Sequence, residues 1–396
     1  MLKVIRQGEV YSPNYIGKTD ILICGEKILL VDKHINLNGF SNYLDMEEID
    51  ANNKIVVPGF IDQHVHIIGG GGEAGFYSRT PEVLLSSIVK SGITTVLGVL
   101  GTDATTRHLE SLYAKAKGLE TEGITAYILT GSYEVPIVTI TGDVKRDVIL
   151  IDKIMGVGEI AISDHRSSEP TKNELKKIAT KVRQGGLISG KKSIVQFHLG
   201  DGEEGLKMIF ELVEETEIPI RHFVPTHVNR NRKLLEEAKQ YGEIGGYIDI
   251  TSGITPELGF DDAIKPSKAI KECLEFGVPL TNLTMSSDGN GSMAVYSNTG
   301  KLKGLLVTTL DSIHKEFKDL IQQEKLPISE AAQIVSSNVA KILGIYPNKG
   351  CINTNCDADI VVLDNELNID IVFAKGQKMV ENGEVLVKGT FEDKEL

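Results

Sequence analysis

Apolar and polar positions along this chain fall into three regimes. The first fifty-odd residues hold short β-branched segments bounded by turn residues, at 2–6, 20–24 and 27–32, and the last fifty hold similar ones at 358–364, 369–375 and 385–387. Such segments read as strands. Neither end has enough of them for an independent sheet, so both ends are expected to meet in one small β-sandwich domain built from residues 1–56 and 345–396. Between them, apolar runs at 55–66, 94–100, 125–130, 158–162, 193–198, 223–227, 247–250 and 283–288 alternate with helical stretches such as 202–215, 231–241 and 266–276. Strand–helix alternation implies parallel pairing. Eight such units over residues 57–344 predict an α/β fold, a closed (β/α)8 TIM barrel. A doubly wound open sheet is the rival, but no Gly-x-Gly-x-x-Gly turn opens one. The run Gly69-Gly70-Gly71-Gly72 lacks the Gly-Lys-Ser/Thr ending of a phosphate loop and reads as a flexible βα-loop.

Composition narrows the classes. Hydrophobic residues at 41% and charged residues at 24% are ordinary for a soluble globular protein. A net charge of −13 argues against an extended nucleic-acid footprint. No run approaches the roughly 18 apolar residues of a membrane helix, and the first residues are too short and interrupted for a signal peptide. Cys24, Cys273, Cys351 and Cys356 show no pairing spacing. Reduced thiols in a cytoplasmic protein are therefore expected.

The candidate chemistry lies where the apolar runs end. In a barrel, the C-terminal ends of the strands carry the active site. The first run ends in His64-Val65-His66, whose two imidazoles share one side of an extended strand. The fourth carries Glu159, the fifth ends in His198, the sixth in His227 and the eighth in Asp288. Any one of these histidines reads most simply as a structural residue with its hydrogen bonds met. Four histidines and two acids at strand ends read instead as a site. That set suits two divalent metal ions: His64, His66 and Asp288 on one, His198 and His227 on the other, and Glu159 bridging. Imidazole and carboxylate ligands without thiolates favour zinc, with manganese, cobalt and nickel left open. Water held between two such ions ionises near neutral pH, and Asp288 can take its proton and pass it to a leaving amine.

This ligand order resembles that of the amidohydrolase superfamily, as do the phrases Val57-Pro58-Gly59-Phe60-Ile61-Asp62-Gln63-His64-Val65-His66 and Cys356-Asp357-Ala358-Asp359-Ile360-Val361-Val362-Leu363-Asp364. Within it, Gly131-Ser132-Tyr133-Glu134, Ala161-Ile162-Ser163-Asp164-His165-Arg166-Ser167-Ser168, Pro225-Thr226-His227-Val228-Asn229-Arg230 and Ser287-Asp288-Gly289-Asn290-Gly291-Ser292 look like the isoaspartyl dipeptidase group. The resemblance implies a homo-oligomer whose partner is a small dipeptide substrate; charge and hydropathy add the expectation of no nucleic acid and no membrane as partners. It implies that Glu73 takes the substrate α-amino group and that Tyr133 polarises the scissile carbonyl. It further implies that Arg230 holds the α-carboxylate of the aspartyl part, while Arg166 and Ser292 bind the far carboxylate. The chemistry agrees: a zwitterion with two carboxylates needs two cations, one anion and a donor for the attacked carbonyl. His165 reads as structural support inside its own turn.

One departure stands out. The superfamily usually bridges its metals with a carboxylated lysine; Glu159 occupies that place here, and Lys153 lies six residues earlier. A glutamate is shorter, so bridging needs the backbone closer to the metals or the metals shifted, and Gly156 and Gly158 permit a close backbone approach. Direct bridging by Glu159 needs no carbon dioxide. A mononuclear site stays open, as do a cyclic-amide hydrolase of the dihydroorotase or hydantoinase kind, an N-acyl amino acid deacylase, and a metal-free assembly protein of the same fold.

Overall fold

In a computed structural model, which describes residues 2–39, 45–296 and 302–392, the β-branched ends of the chain form β1 (Leu2–Tyr11), β2 (Tyr15–Cys24), β3 (Lys27–Asp32), β4 (Met46–Asp50) and β5 (Ile55–Pro58). The alternating middle of the chain gives β6 (Phe60–Val65), β7 (Ile93–Gly98), β8 (Thr125–Thr130), β9 (Ile154–Ile162), β10 (Ile194–Leu199), β11 (Phe223–Thr226), β12 (Ile248–Thr251) and β13 (Leu283–Ser286). A hairpin of β14 (Ser292–Tyr296) and β15 (Leu302–Val307) follows. The C-terminal end supplies β16 (Ile360–Leu363), β17 (Ile369–Ala374), β18 (Gln377–Glu381) and β19 (Glu384–Val385).

Strands from both ends do join. They form one nine-stranded sheet ordered β19-β18-β17-β16-β5-β1-β2-β3, with β4 also on β1. Its ladder is continuous, so the layers of the expected sandwich are one sheet wrapped on its own core. Ile5, Ile23, Ile28, Val56, Ile360 and Phe373 meet in that core. Residue 1, residues 40–44 and residues 393–396 of the expected small domain lie outside the described residues. Cys351 and Cys356, expected as separate thiols, are paired as a disulfide. The intervening loop folds back so that both sulfurs lie 3.0 Å from Pro347 O. Cys24 and Cys273 are free.

The apolar run 55–66, expected as one strand, is two. β5 pairs with β16 in the terminal sheet; then Gly59 N–H donates to Asp359 O at 2.8 Å and Phe60 N–H to Gly92 O at 3.0 Å. The chain thus changes sheets at residue 59, and β6 enters the parallel sheet beside β7.

β6 to β11 form a six-stranded parallel sheet in sequence order, and β12 and β13 form a parallel pair. A flat six-stranded sheet would hold β6 and β11 about 24 Å apart. Yet Asp249 on β12 accepts from Gln63 Nε2 of β6 at 2.7 Å and from Thr226 Oγ1 of β11 at 2.7 Å. The sheet is therefore strongly curled. The expected closed barrel is not seen as a closed backbone ladder: the seams from β11 to β12 and from β13 to β6 are bridged mainly by side chains. Gln63 Nε2 also donates to Thr284 Oγ1 at 2.6 Å, and His66 N–H donates to Gly289 O at 2.9 Å. Helices cover the outer face. Asn231 caps Arg232–Glu243 by accepting from Leu234 N at 2.9 Å, and Thr171 and Glu174 form a capping box on Lys172–Ser189. The largest apolar cluster lies between these helices and the sheet.

Candidate active site

The buried titratable groups gather at the C-terminal ends of the parallel strands. His64 is on β6 and His66 just beyond it; Glu159 is on β9 and His198 on β10; His227 follows β11 and Asp288 follows β13. All six side chains are buried. His198 Nδ1 lies 3.0 Å, His64 Nε2 3.3 Å and His227 Nε2 3.5 Å from Glu159 Oε2. His66 Nε2 lies 3.7 Å from Glu159 Oε1 and 3.0 Å from Asp288 Oδ1.

Local backbone explains the convergence. Gly156 and Gly158 have φ of 149° and 155°, and a Cβ on Gly156 would lie 2.1 Å from Ile194 O. Only glycine lets β9 press this close to β10, and that closeness brings the short Glu159 arm among the imidazoles. His227 and Asp288 turn out of their strands in the left-handed region, at φ 64° and 55°, a conformation that costs a non-glycine residue of order 1–3 kcal/mol. Arg230 N–H holds the first turn by donating to His227 O at 3.0 Å, and Gly291 N–H holds the second by donating to Asp288 O at 3.2 Å.

The charges are strongly coupled. Burial works against ionised Glu159, but the charge of His64 and hydrogen bonds from His198, His227 and His64 hold its carboxyl well below the usual range. Burial also opposes ionised Asp288, yet the hydrogen bond from His66 and the neighbouring imidazoles hold it at about 2. Burial lowers His64, but Glu159 and Asp288 outweigh it and raise the imidazole to about 9. Burial leaves His227 neutral, at about 3. Tyr133 is pushed well above 10 by burial and by Glu159, so its hydroxyl stays protonated.

This donor set fits divalent cations. The ligating atoms of His64, His66 and Asp288 lie within 4.8 Å of one another, and those of His64, Glu159 and His227 form a second such group. His198 is in neither, although it touches Glu159. Buried Glu159 Oε1 has no hydrogen-bond partner, an expensive state that a bound cation would relieve.

A cleft of about 280 Å³ opens over these groups and is lined by Glu73, Tyr133, Arg166, Arg230 and Ser292, so every residue expected from the sequence is brought to one place. Tyr133 Oη lies 2.8 Å from His198 Nδ1. Arg166 Nη1 lies 3.3 Å from Glu73 Oε1. Buried Arg230 Nε has no partner, and its Nη1 is 3.6 Å from Asp201 Oδ2. His165, expected inside its turn, is instead exposed at the cleft. The support it was expected to give comes from its neighbour Asp164, which accepts from Arg166 N at 2.7 Å and lies 3.1 Å from His198 Nε2. Three further residues escaped the sequence reading: Thr102, which donates to Glu73 Oε1 at 2.8 Å; Thr251, 2.8 Å from His227 Nδ1; and Phe260, at the cleft wall. Asp164 lies inside a phrase already singled out; the other three follow no visible motif.

A family model described as the amidohydrolase family matches residues 55–389. The chain belongs to the amidohydrolase family. Over 97% of its length it is similar to a solved structure of β-aspartyl dipeptidase from Fervidobacterium islandicum in complex with the β-Asp-Leu dipeptide, with 44% identity, 98% of that chain covered and a TM-score of 0.89. The dihydropyrimidinase of Brevibacillus agri, at 18% identity, 98% and 97% coverage and a TM-score of 0.67, shares the fold. Among curated relatives, the dihydroorotase of Staphylococcus epidermidis is 35% identical over 95 residues, 24% of this chain; the match spans only 21% of that relative's length. No helix among the described residues is long and apolar enough to cross a membrane.

Proposed function

We propose that this chain hydrolyses the β-aspartyl amide bond of dipeptides, using two divalent cations held by His64, His66, Glu159, His198, His227 and Asp288. One observation carries the reading: four imidazoles and two carboxylates from separate strands converge beneath a cleft that presents two arginines, one glutamate and a tyrosine hydroxyl. The cations, read as zinc from the imidazole and carboxylate donors, would sharpen an attacking water and polarise the carbonyl.

The remaining work falls to side chains. Asp288, held ionised, accepts the proton of the attacking water and returns it to the departing amine. Tyr133 donates its hydroxyl hydrogen to the carbonyl oxygen as charge builds there. Glu73 receives the α-ammonium. Arg230, with Nε unengaged, takes the α-carboxylate, and Arg166 with Ser292 takes the far one, arginine matching a carboxylate in a two-point fork. The same reading takes residues 57–344 as a (β/α)8 barrel whose seams are closed by side chains, residues 1–56 and 345–396 as the small β-domain, and the enzyme as a cytoplasmic homo-oligomer.

A second reading, cyclic-amide hydrolysis, draws on the short dihydroorotase match. It needs the cations but not Glu73 with both arginines. The retained ligand set weighs against a metal-free assembly role. A panel of β-aspartyl dipeptides, cyclic amides and N-acyl amino acids given to zinc-loaded protein decides: preference for the dipeptides supports the proposal, and preference for either other class overturns it.

A further inference from the structure

The two ring nitrogens of His198 keep different company. Nδ1 lies 3.0 Å from Glu159 Oε2 and 2.8 Å from Tyr133 Oη. Nε2 lies 3.1 Å from Asp164 Oδ2 and 3.1 Å from Arg166 Nη2. A neutral imidazole has one N–H and one lone pair. With the proton on Nδ1, the ring donates to Glu159 and accepts from Arg166, and no lone pair faces the cation site. With the proton on Nε2, the ring donates to Asp164 and the Nδ1 lone pair faces the site. Arg166 can only donate, so it favours the first arrangement; a carboxylate can only accept, so Asp164 favours the second.

Asp164 is built to decide the contest. It is buried on the turn after β9, and a Cβ on Gly200, just past β10, would lie 2.4 Å from Asp164 Oδ2, so the turn is pressed against the end of the strand that carries His198. It also accepts from Arg166 Nε at 2.9 Å and Nη2 at 2.7 Å. That two-point grip engages the guanidinium and leaves Nη1 facing Glu73 across the cleft.

We propose that Asp164 is a positioning residue serving two sites at once: it keeps the His198 proton on Nε2, so that Nδ1 is free for a cation, and it clamps Arg166 where the substrate's far carboxylate arrives. The second half rests on the β-aspartyl dipeptidase reading; the first does not. Cation binding and carboxylate recognition are then joined through a single side chain, as when a carboxylate behind a ligating histidine sets its orientation.

The test uses full-length Asp164→Asn, Asp164→Glu and Arg166→Met. Zinc affinity of the stripped proteins is measured by competition with a chromophoric chelator, and KM and kcat for β-Asp-Leu at saturating zinc. Asp164→Asn should bind zinc about 10- to 100-fold more weakly and raise KM, with Asp164→Glu recovering part of the zinc affinity. Arg166→Met should raise KM but bind zinc as tightly as the parent or more tightly, because the donor competing for Nε2 is gone. Parent-like zinc affinity in a folded Asp164→Asn, or weakened zinc binding in Arg166→Met, overturns the proposal. If Asp164→Asn does not fold, Arg166→Met still decides. If the parent does not cleave β-Asp-Leu, the functional reading fails, while the zinc measurements still judge Asp164.

Discussion

Glu73 and Arg166 face each other across the cleft, Oε1 to Nη1 at 3.3 Å, and Thr102 Oγ1 donates to the same Glu73 oxygen at 2.8 Å. Both charged side chains are about a quarter exposed, at 27% and 25%, so parting them costs little, at most about 1 kcal/mol. A zwitterionic substrate can exchange each for a partner of its own. Replacing Glu73 by Gln removes a charge-assisted bond to the ammonium, of order 1.5–3 kcal/mol, and should lower kcat/KM for β-Asp-Leu by about 10- to 100-fold. The same substitution should leave turnover of an N-acetylated dipeptide, which has no ammonium, nearly unchanged. Equal losses on both substrates would remove Glu73 from recognition.

Tyr133 is buried against His198, and its hydroxyl stays protonated. Tyr133→Phe should keep the fold and zinc content and lower kcat about 10²- to 10³-fold, the cost of losing one oxyanion donor. Because burial and Glu159 push Tyr133 well above 10, its ionisation should not limit the alkaline side of the parent's kcat profile up to that pH. An unchanged kcat in the variant would return Tyr133 to the core.

In the metal-free chain Glu159 and Asp288, against the opposing effect of burial, raise His64 to about 9 from the usual 6.5. Its pairing therefore contributes to the stability of the metal-free fold fully below pH 6.5, and that contribution is lost as pH rises through about 9. A cation needs the unprotonated ring, so zinc binding at pH 7 should release a proton from His64 and should tighten as pH rises toward 9. Calorimetry in buffers of different ionisation enthalpy measures the protons released. Proton release near zero at pH 7 would show that His64 does not face the cation.

Glu159 brings its own carboxylate to the centre, within 3.0–3.5 Å of three imidazoles. Reconstitution of stripped protein with zinc should therefore be as complete in bicarbonate-free buffer as in its presence. Glu159→Ala should lose most of its zinc. A strong bicarbonate requirement in the parent would mean that some other, carbon dioxide-dependent ligand does the bridging.

Much of this site could be read from the chain because parallel strands end on one face. An imidazole closing an apolar run, as His198 and His227 do, is carried to the same mouth as Asp288 and His64. Glu159 was legible from its place in the family's ligand order, counted back from Arg166, and its glycine neighbours permit the close backbone approach its short arm needs. Other features depended on contacts between distant residues. The split of the run 55–66 reflects pairing with β16, some three hundred residues away. The seams rest on Asp249, whose partners lie on three other strands, and such networks have no sequence period. The Cys351–Cys356 pair follows from how its loop folds back on Pro347, which spacing alone does not reveal. Thr251 acts only by standing behind His227.

The central claim is that cations gathered by these six side chains, with Asp288 moving the proton, cleave a β-aspartyl amide. The most direct measurement is turnover of β-Asp-Leu by zinc-loaded parent and by Asp288→Ala, each with its zinc content determined. The account predicts steady hydrolysis by the parent and a fall in kcat of at least about 10²- to 10⁴-fold in the variant, with the variant folded. Zinc-loaded parent that leaves β-Asp-Leu intact, or an Asp288→Ala protein that cleaves it at the parent's rate, would contradict the account.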